Sequence, residues 1–193
     1  MKLNPQFDKP EQYIGPGDYC VTGEDIVIST LLGSCIAVAL YDLEKAIGGL
    51  NHFMLPFTRN LDAHKPEDSA RYGINSMEML INGLLKMGAR REKLRSKVFG
   101  GSSVLRYQQE ATYNIPKMNI EFIFNFLDIE KIPIESYSVG GPFPRKIYYF
   151  PRTAKVLMRY SKQDSSSIFS REFRYSNELY EKTKNVGKPL LFS

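Results

Sequence analysis

Cysteine and histidine are the scarce residues of this chain, two of each in 193, and tryptophan is absent. Two cysteines are too few for a disulfide framework, and Cys20 and Cys35 sit in unlike surroundings that do not suggest a pair. Long hydrophobic runs are also missing. The most apolar stretch, 26–43, carries Ser29, Thr30, Gly33 and Ser34 near its middle. It is too short and too interrupted to span a bilayer. The first eighteen residues are rich in proline, glycine and charge and hold no apolar signal core. No membrane insertion and a cytoplasmic location are therefore expected.

Charge of one sign is not concentrated either. The formal net charge is +5, and the densest basic run, Arg90, Arg91, Lys93, Arg95 and Lys97, lacks interleaved aromatics. A nucleic-acid face would carry both features, so nucleic acid is not an expected partner. No Walker or dinucleotide fingerprint surrounds Gly100-Gly101-Ser102-Ser103, which reads as a tight turn, and Gly140-Gly141 reads as a reversal between strands. No carboxylate pair stands out as an acid/base couple, and no cofactor is implied.

What is present is an ordinary globular composition, 42% hydrophobic and 24% charged, enough for one core. Residues 1–18 read as a loosely held arm, 19–160 as the domain, and 161–193 as a polar C-terminal extension, weakly amphipathic near Asn177 to Lys184. Strands are predicted at Tyr19–Val21, Ile26–Ile28 and Ile36–Tyr41, where β-branched residues cluster, and again at Ile47–Met54. Ala70, Ile74, Met77, Ile81 and Leu84 trace one helical stripe, capped by Asp68 or Ser69 and ended by Gly88. A strand is predicted at Lys93–Phe99 and a second helix at 119–131, with Asn119 as its cap. Strands at Ile134–Val139, Lys146–Phe150 and Lys155–Tyr160 complete the pattern. The order predicts an α/β chain of the α+β type: packed mixed β-sheets flanked by helices.

The scarce residues fall in suggestive places. Cys35 closes Gly33-Ser34-Cys35, immediately before a buried strand, and His52 follows Gly48-Gly49-Leu50-Asn51. An antiparallel return between their strands would bring thiol and imidazole together. A thiol of ordinary pKa, about 8.5, is mostly protonated near neutrality, and a neighbouring imidazole is the usual device for activating it. Ser29 or Thr30 could orient the ring, and the backbone N–H groups of the Gly33-Ser34-Cys35 turn could hold an oxyanion. Acyl chemistry through a thioester is the reading these parts support. Against it stand an inert core cysteine with a core histidine, and a zinc site. Cys20, Cys35, His52 and His64 supply ligand types for zinc, but none of their spacings matches a structural zinc motif, so no metal is expected.

Thr30-Leu31-Leu32-Gly33-Ser34-Cys35-Ile36-Ala37-Val38-Ala39-Leu40-Tyr41-Asp42, followed by Gly49-Leu50-Asn51-His52-Phe53-Met54-Leu55-Pro56, resembles the CheD family of chemoreceptor glutamine deamidases. The resemblance continues through Ala70-Arg71-Tyr72-Gly73, Met87-Gly88-Ala89, Lys97-Val98-Phe99-Gly100-Gly101, Gly140-Gly141 and Arg145-Lys146. It implies a fold like that of toxin deamidases. It also implies protein-glutamine glutaminase activity on methyl-accepting chemotaxis receptors, with Cys35 as nucleophile, His52 as its histidine and an upstream hydroxyl, Ser29 by offset or Thr30 by residue type. A CheC-type phosphatase is an implied partner. The alternatives are a non-catalytic adaptor for receptors or that phosphatase, and a cysteine hydrolase of another amide or ester. The sequence departs from the family's usual pattern at Pro116 and Pro144, each standing where glycine is common, so the loop around Pro116 is expected to differ.

Overall fold

The computed structural model describes residues 1–55, 66–103, 114–161, 168, 170–172, 174, 175, 177 and 178. Ten strands and two long helices order them: β1 (Lys2–Asn4), β2 (Lys9–Tyr13), β3 (Tyr19–Thr22), β4 (Val27–Leu32), β5 (Ile36–Asp42), β6 (Ile47–Asn51), α1 (Pro66–Lys86), β7 (Arg95–Gly100), α2 (Ile115–Ile129), β8 (Ile134–Val139), β9 (Arg145–Phe150) and β10 (Lys155–Tyr160). The strands form two five-stranded mixed sheets, one ordered β1-β2-β4-β9-β10 and the other β3-β6-β5-β7-β8. This is the α+β architecture of mixed sheets with outer helices that the order of elements predicts.

All seven residues of β5 are buried, because it is packed on both faces. Val38 and Leu40 join Met77, Leu80, Leu84, Val98, Ile123 and Leu127 beneath the helices. Ala37 and Ala39 face the other way, with Ile28, Leu32, Leu50, Ile147 and Tyr149, in a second core between the sheets. Strand alternation decides the division, since successive side chains point to opposite faces. The helix stripe along α1 is Met77, Leu80, Ile81 and Leu84. Ile74, expected on it, is 37% exposed.

Several expectations meet a different arrangement. The first residues are strands rather than a loose arm: β1 pairs with β2, and β2 runs parallel to β4. Short polar strands of this kind carry little of the apolar alternation by which a strand is recognised. The segments around Ser34 and around Gly140 do not reverse the chain within a sheet. Each carries it across, from β4 in one sheet to β5 in the other, and from β8 back to β9. α2 starts four residues earlier than expected, at Ile115, with Asn114 as the cap accepting from the Lys117 N–H. Pro116 falls in its first turn, where a missing N–H costs nothing. α1 likewise starts at Pro66, which puts Asp68 and Ser69 inside the helix.

The β4–β5 crossing is braced from behind by the segment that follows β7. Gly101 donates its N–H to the Cys35 carbonyl (2.8 Å), and Ser102 to the Gly33 carbonyl (2.7 Å). Gly100 makes this approach feasible: its φ is +119°, and a Cβ there would run into the Cys35 carbonyl oxygen. Gly100→Ala should therefore destabilise the protein by about 2 kcal/mol or more. Gly88→Ala, at φ +96° but with open space around it, should cost less, about 1 kcal/mol. Denaturant unfolding of both variants checks this, and equal losses would contradict the brace.

Candidate active site

Ile36 and Phe53 exchange two backbone hydrogen bonds of 2.8 Å, extending the antiparallel β5–β6 ladder past the end of β6. That register puts Cys35 and His52 on the face of the second sheet that looks toward the first. Both are fully enclosed, at 0% and 1% exposure. From the first sheet, β4 sends Thr30 to meet them: its Oγ1 lies 2.7 Å from His52 Nδ1 and donates to the Ile14 carbonyl at 2.8 Å. A hydroxyl has one hydrogen to donate. With that hydrogen on Ile14, Thr30 Oγ1 must accept from Nδ1–H, which makes His52 the Nδ1-protonated tautomer. Nε2 is then a bare lone pair, and it is buried without a hydrogen-bond partner among the described residues. The Cys35 sulfur, a His52 ring nitrogen and a Glu172 carboxylate oxygen lie within 4.8 Å of one another.

Ser29, the neighbouring candidate hydroxyl, is on the opposite face of β4. It donates to Glu11 and accepts from Lys146 Nζ at 3.1 Å. The structure thus brings Cys35, His52 and Thr30 together and leaves Ser29 apart. Cys20 is on β3 and does not belong to the cluster, and His64 lies outside the described residues.

Two residues at the site escaped the sequence reading. Asn119, expected as a helix cap, is fully buried in α2 and ties the two site segments together. Its Oδ1 accepts from the Leu55 N–H and its Nδ2 donates to the Ser34 carbonyl, each at 2.9 Å. Glu172, in the C-terminal extension, reaches into the crossing itself. Its Oε1 accepts from the N–H of Gly33 at 2.9 Å and of Cys35 at 3.4 Å, and its Oε2 accepts from the N–H of Ser34 at 2.9 Å and from Ser34 Oγ at 2.6 Å. Cys35, His52 and Glu172 carry zinc-ligand atom types, but the carboxylate's two oxygens are already taken up by these four donors.

The electrostatics follow from enclosure. Burial first, then the charge of Glu172 and a hydrogen bond to it, push the Cys35 thiol well above its ordinary range. Burial, then the positive charge of Arg171, pushes His52 down to about 3, while the Ile14 carbonyl works the other way. Both groups are neutral at rest near pH 7.

A nucleophile-bearing crossing between two mixed sheets, with an oriented imidazole and three convergent N–H groups, is the equipment of a cysteine-dependent acyl hydrolase. The chain belongs to the CheD family: residues 54–160 match the family described as CheD chemotactic sensory transduction. A protein named probable chemoreceptor glutamine deamidase CheD from Janthinobacterium sp. (strain Marseille) is 45% identical over 90% of this chain and 85% of its own length. One of the same name from Herminiimonas arsenicoxydans is 45% identical over 97% of this chain and 91% of its own. Among solved structures, the hypothetical protein YfiH of Bacillus licheniformis has 13% identity and a TM-score of 0.38, covering 63% of this chain and 50% of its own, a likeness that carries no argument.

The depressed His52 pKa links stability to pH. The folded state keeps the ring neutral down to about 3, whereas the unfolded chain takes up a proton below about 6.5. His52 therefore opposes folding increasingly as the pH falls through that window, by about 2–3 kcal/mol by pH ~4.5. Urea unfolding at neutral and acid pH should give a shallower acid loss for His52→Gln than for wild type. Parallel pH slopes would contradict the buried neutral imidazole.

Proposed function

We propose that this chain hydrolyses selected glutamine side-chain amides of methyl-accepting chemotaxis receptors to glutamate and ammonia, with Cys35 as nucleophile, His52 as proton carrier and Thr30 as the group that orients His52. The observation that carries the reading is the Thr30–His52 hydrogen bond, whose direction leaves Nε2 unprotonated in a cluster where a ring nitrogen and the Cys35 sulfur lie within 4.8 Å of each other. Membership of the CheD family supplies the substrate class. The setting is the cytoplasm, where receptor signalling segments are reached; no helix among the described residues is long and apolar enough to cross a membrane. A CheC-type phosphatase is the further partner that this reading names.

The chemistry runs from neutral groups. As sulfur attacks the carboxamide carbon, the thiol proton passes to Nε2, and Thr30 holds the ring by accepting from Nδ1–H. The carboxamide oxygen gains negative charge against the N–H groups of Gly33, Ser34 and Cys35, donors fixed by the crossing before the reaction begins. Imidazolium returns its proton to the departing nitrogen, and ammonia leaves as the C–N bond breaks. Water, deprotonated by His52, attacks the thioester, the C–S bond breaks, and glutamate and the thiol are released. A full thiolate at rest is not needed, which suits a sulfur this deeply buried.

Incubation with a cytoplasmic receptor fragment, followed by peptide mass spectrometry, should find amide-to-acid conversion by wild type and none by Cys35→Ala. Thr30→Val, which removes the acceptor for Nδ1–H, should lose on the order of 10²-fold in rate, and Thr30→Ser should keep most of it. Ser29→Ala should stay close to wild type. Conversion by Cys35→Ala would remove the nucleophile from its role; a Ser29→Ala loss as deep as that of Thr30→Val would give the orienting role to the wrong hydroxyl.

A further inference from the structure

The deamidase mechanism has no use for Glu172, yet it is among the most firmly held side chains at the site. The residue is 4% exposed, and its carboxylate receives four donors, three of them backbone N–H groups of the nucleophile's own turn. Those are the groups a carboxamide oxygen must find when it becomes an oxyanion. The segment that brings it is helical at residues 168, 170–172, 174, 175, 177 and 178. Ile168, Glu172 and Tyr175 follow helical spacing and, among the described residues of the segment, are those turned inward, while Arg171, Arg174, Asn177 and Glu178 face solvent. Ile168 is 1% exposed and seats on Gly33, where a Cβ would come within 3.0 Å of both its side chain and the Glu172 carboxylate. Tyr175 is half-buried in the same core cluster as Cys35, with its hydroxyl over Gly17. Cys35, beside this segment, is 0% exposed.

We propose that Glu172 occupies the place of the reaction's product within its own chain: the C-terminal helical segment presents a glutamate side chain to the Cys35 cradle as a receptor helix presents the glutamate that has just been formed, and it must withdraw before a substrate glutamine can enter. The inference rests on the deamidase reading and deepens it, because it states how substrate is delivered: on a helix, with the reactive side chain extended between β4 and β5 and apolar contacts one turn to either side. The chemistry of the product fits the cradle. Hydrolysis replaces the amide nitrogen with a water oxygen, so the product has two acceptor oxygens where the substrate has one. The second Glu172 oxygen takes the Ser34 N–H and Oγ–H, which an amide NH₂ could not accept. The negative charge of Glu172 also favours the protonated thiol, so withdrawal both uncovers the sulfur and removes that charge from beside it.

The test uses the full-length chain with two readouts, one of which needs no receptor. Alkylation of Cys35 by iodoacetamide, followed at the Cys35 peptide, should be at least about tenfold faster in Glu172→Ala, because the accessible state is otherwise a minor one. Deamidation of a receptor fragment at subsaturating concentration should rise by a similar factor. Ile168→Asp, which unseats the same segment without touching the carboxylate, should accelerate both as well. If wild type deamidates the fragment but neither variant changes either rate, the occupancy is overturned and the deamidase reading stands. If alkylation rises in both variants while no protein deamidates the fragment, the segment does cover the thiol but the receptor reading, and the product analogy with it, falls. Slower deamidation by Glu172→Ala would make the carboxylate an aid to turnover and overturn the proposal too.

Discussion

The Thr30 hydroxyl has a single hydrogen, and the Ile14 carbonyl takes it. From that one commitment follow the direction of the Thr30–His52 bond, the tautomer of the imidazole, and an unprotonated Nε2. The bond joins the two sheets, Thr30 coming from β4 and His52 from the end of β6. Anything that shifts one sheet against the other therefore misaligns the chemistry. The brace from Gly101 and Ser102 and the Asn119 clamp hold that relation from the back and from the helix side. Arg145 adds to it from β9: it is 2% exposed, donates to the Ser138 carbonyl at 2.8 Å, and also reaches the carbonyls of Gly100 and Gly140.

Burial sets the character of the catalytic pair. A thiolate–imidazolium pair would be expensive in this enclosure, and the raised thiol and lowered imidazole pKa values express that cost. The resting thiol and imidazole are both neutral. On that pair, charge appears only when a substrate carbonyl can share it with the N–H groups of the crossing. This is economical for an enzyme whose substrate is another protein, since an exposed thiolate would meet oxidants and unrelated electrophiles.

How much of this was legible in the sequence depended on whether the signal was local. Cys35 and His52 were legible from their scarcity, the glycines preceding them and the family resemblance, and the strands that carry them from β-branched clustering. Which hydroxyl meets the histidine was not, because adjacent residues on a strand point to opposite faces and only the tertiary structure says which face looks inward. Sheet switching was equally hidden: Gly33-Ser34 and Gly140-Gly141 look like hairpin turns until both sheets are assembled. Asn119 resembled a cap because asparagine before a helical stripe usually is one; its real partners, Leu55 and Ser34, are far away in sequence. In the C-terminal extension, Ile168, Glu172 and Tyr175 make too sparse a pattern to announce a docking face, and the weak amphipathic signal of the sequence lies further on, near 177–184.

The central claim is the tautomer of His52, and nitrogen NMR of the ¹⁵N-labelled imidazole tests it most directly. At neutral pH the account predicts one His52 ring with a protonated Nδ1 and an unprotonated Nε2. An Nε2-protonated ring, or an imidazolium, would contradict it.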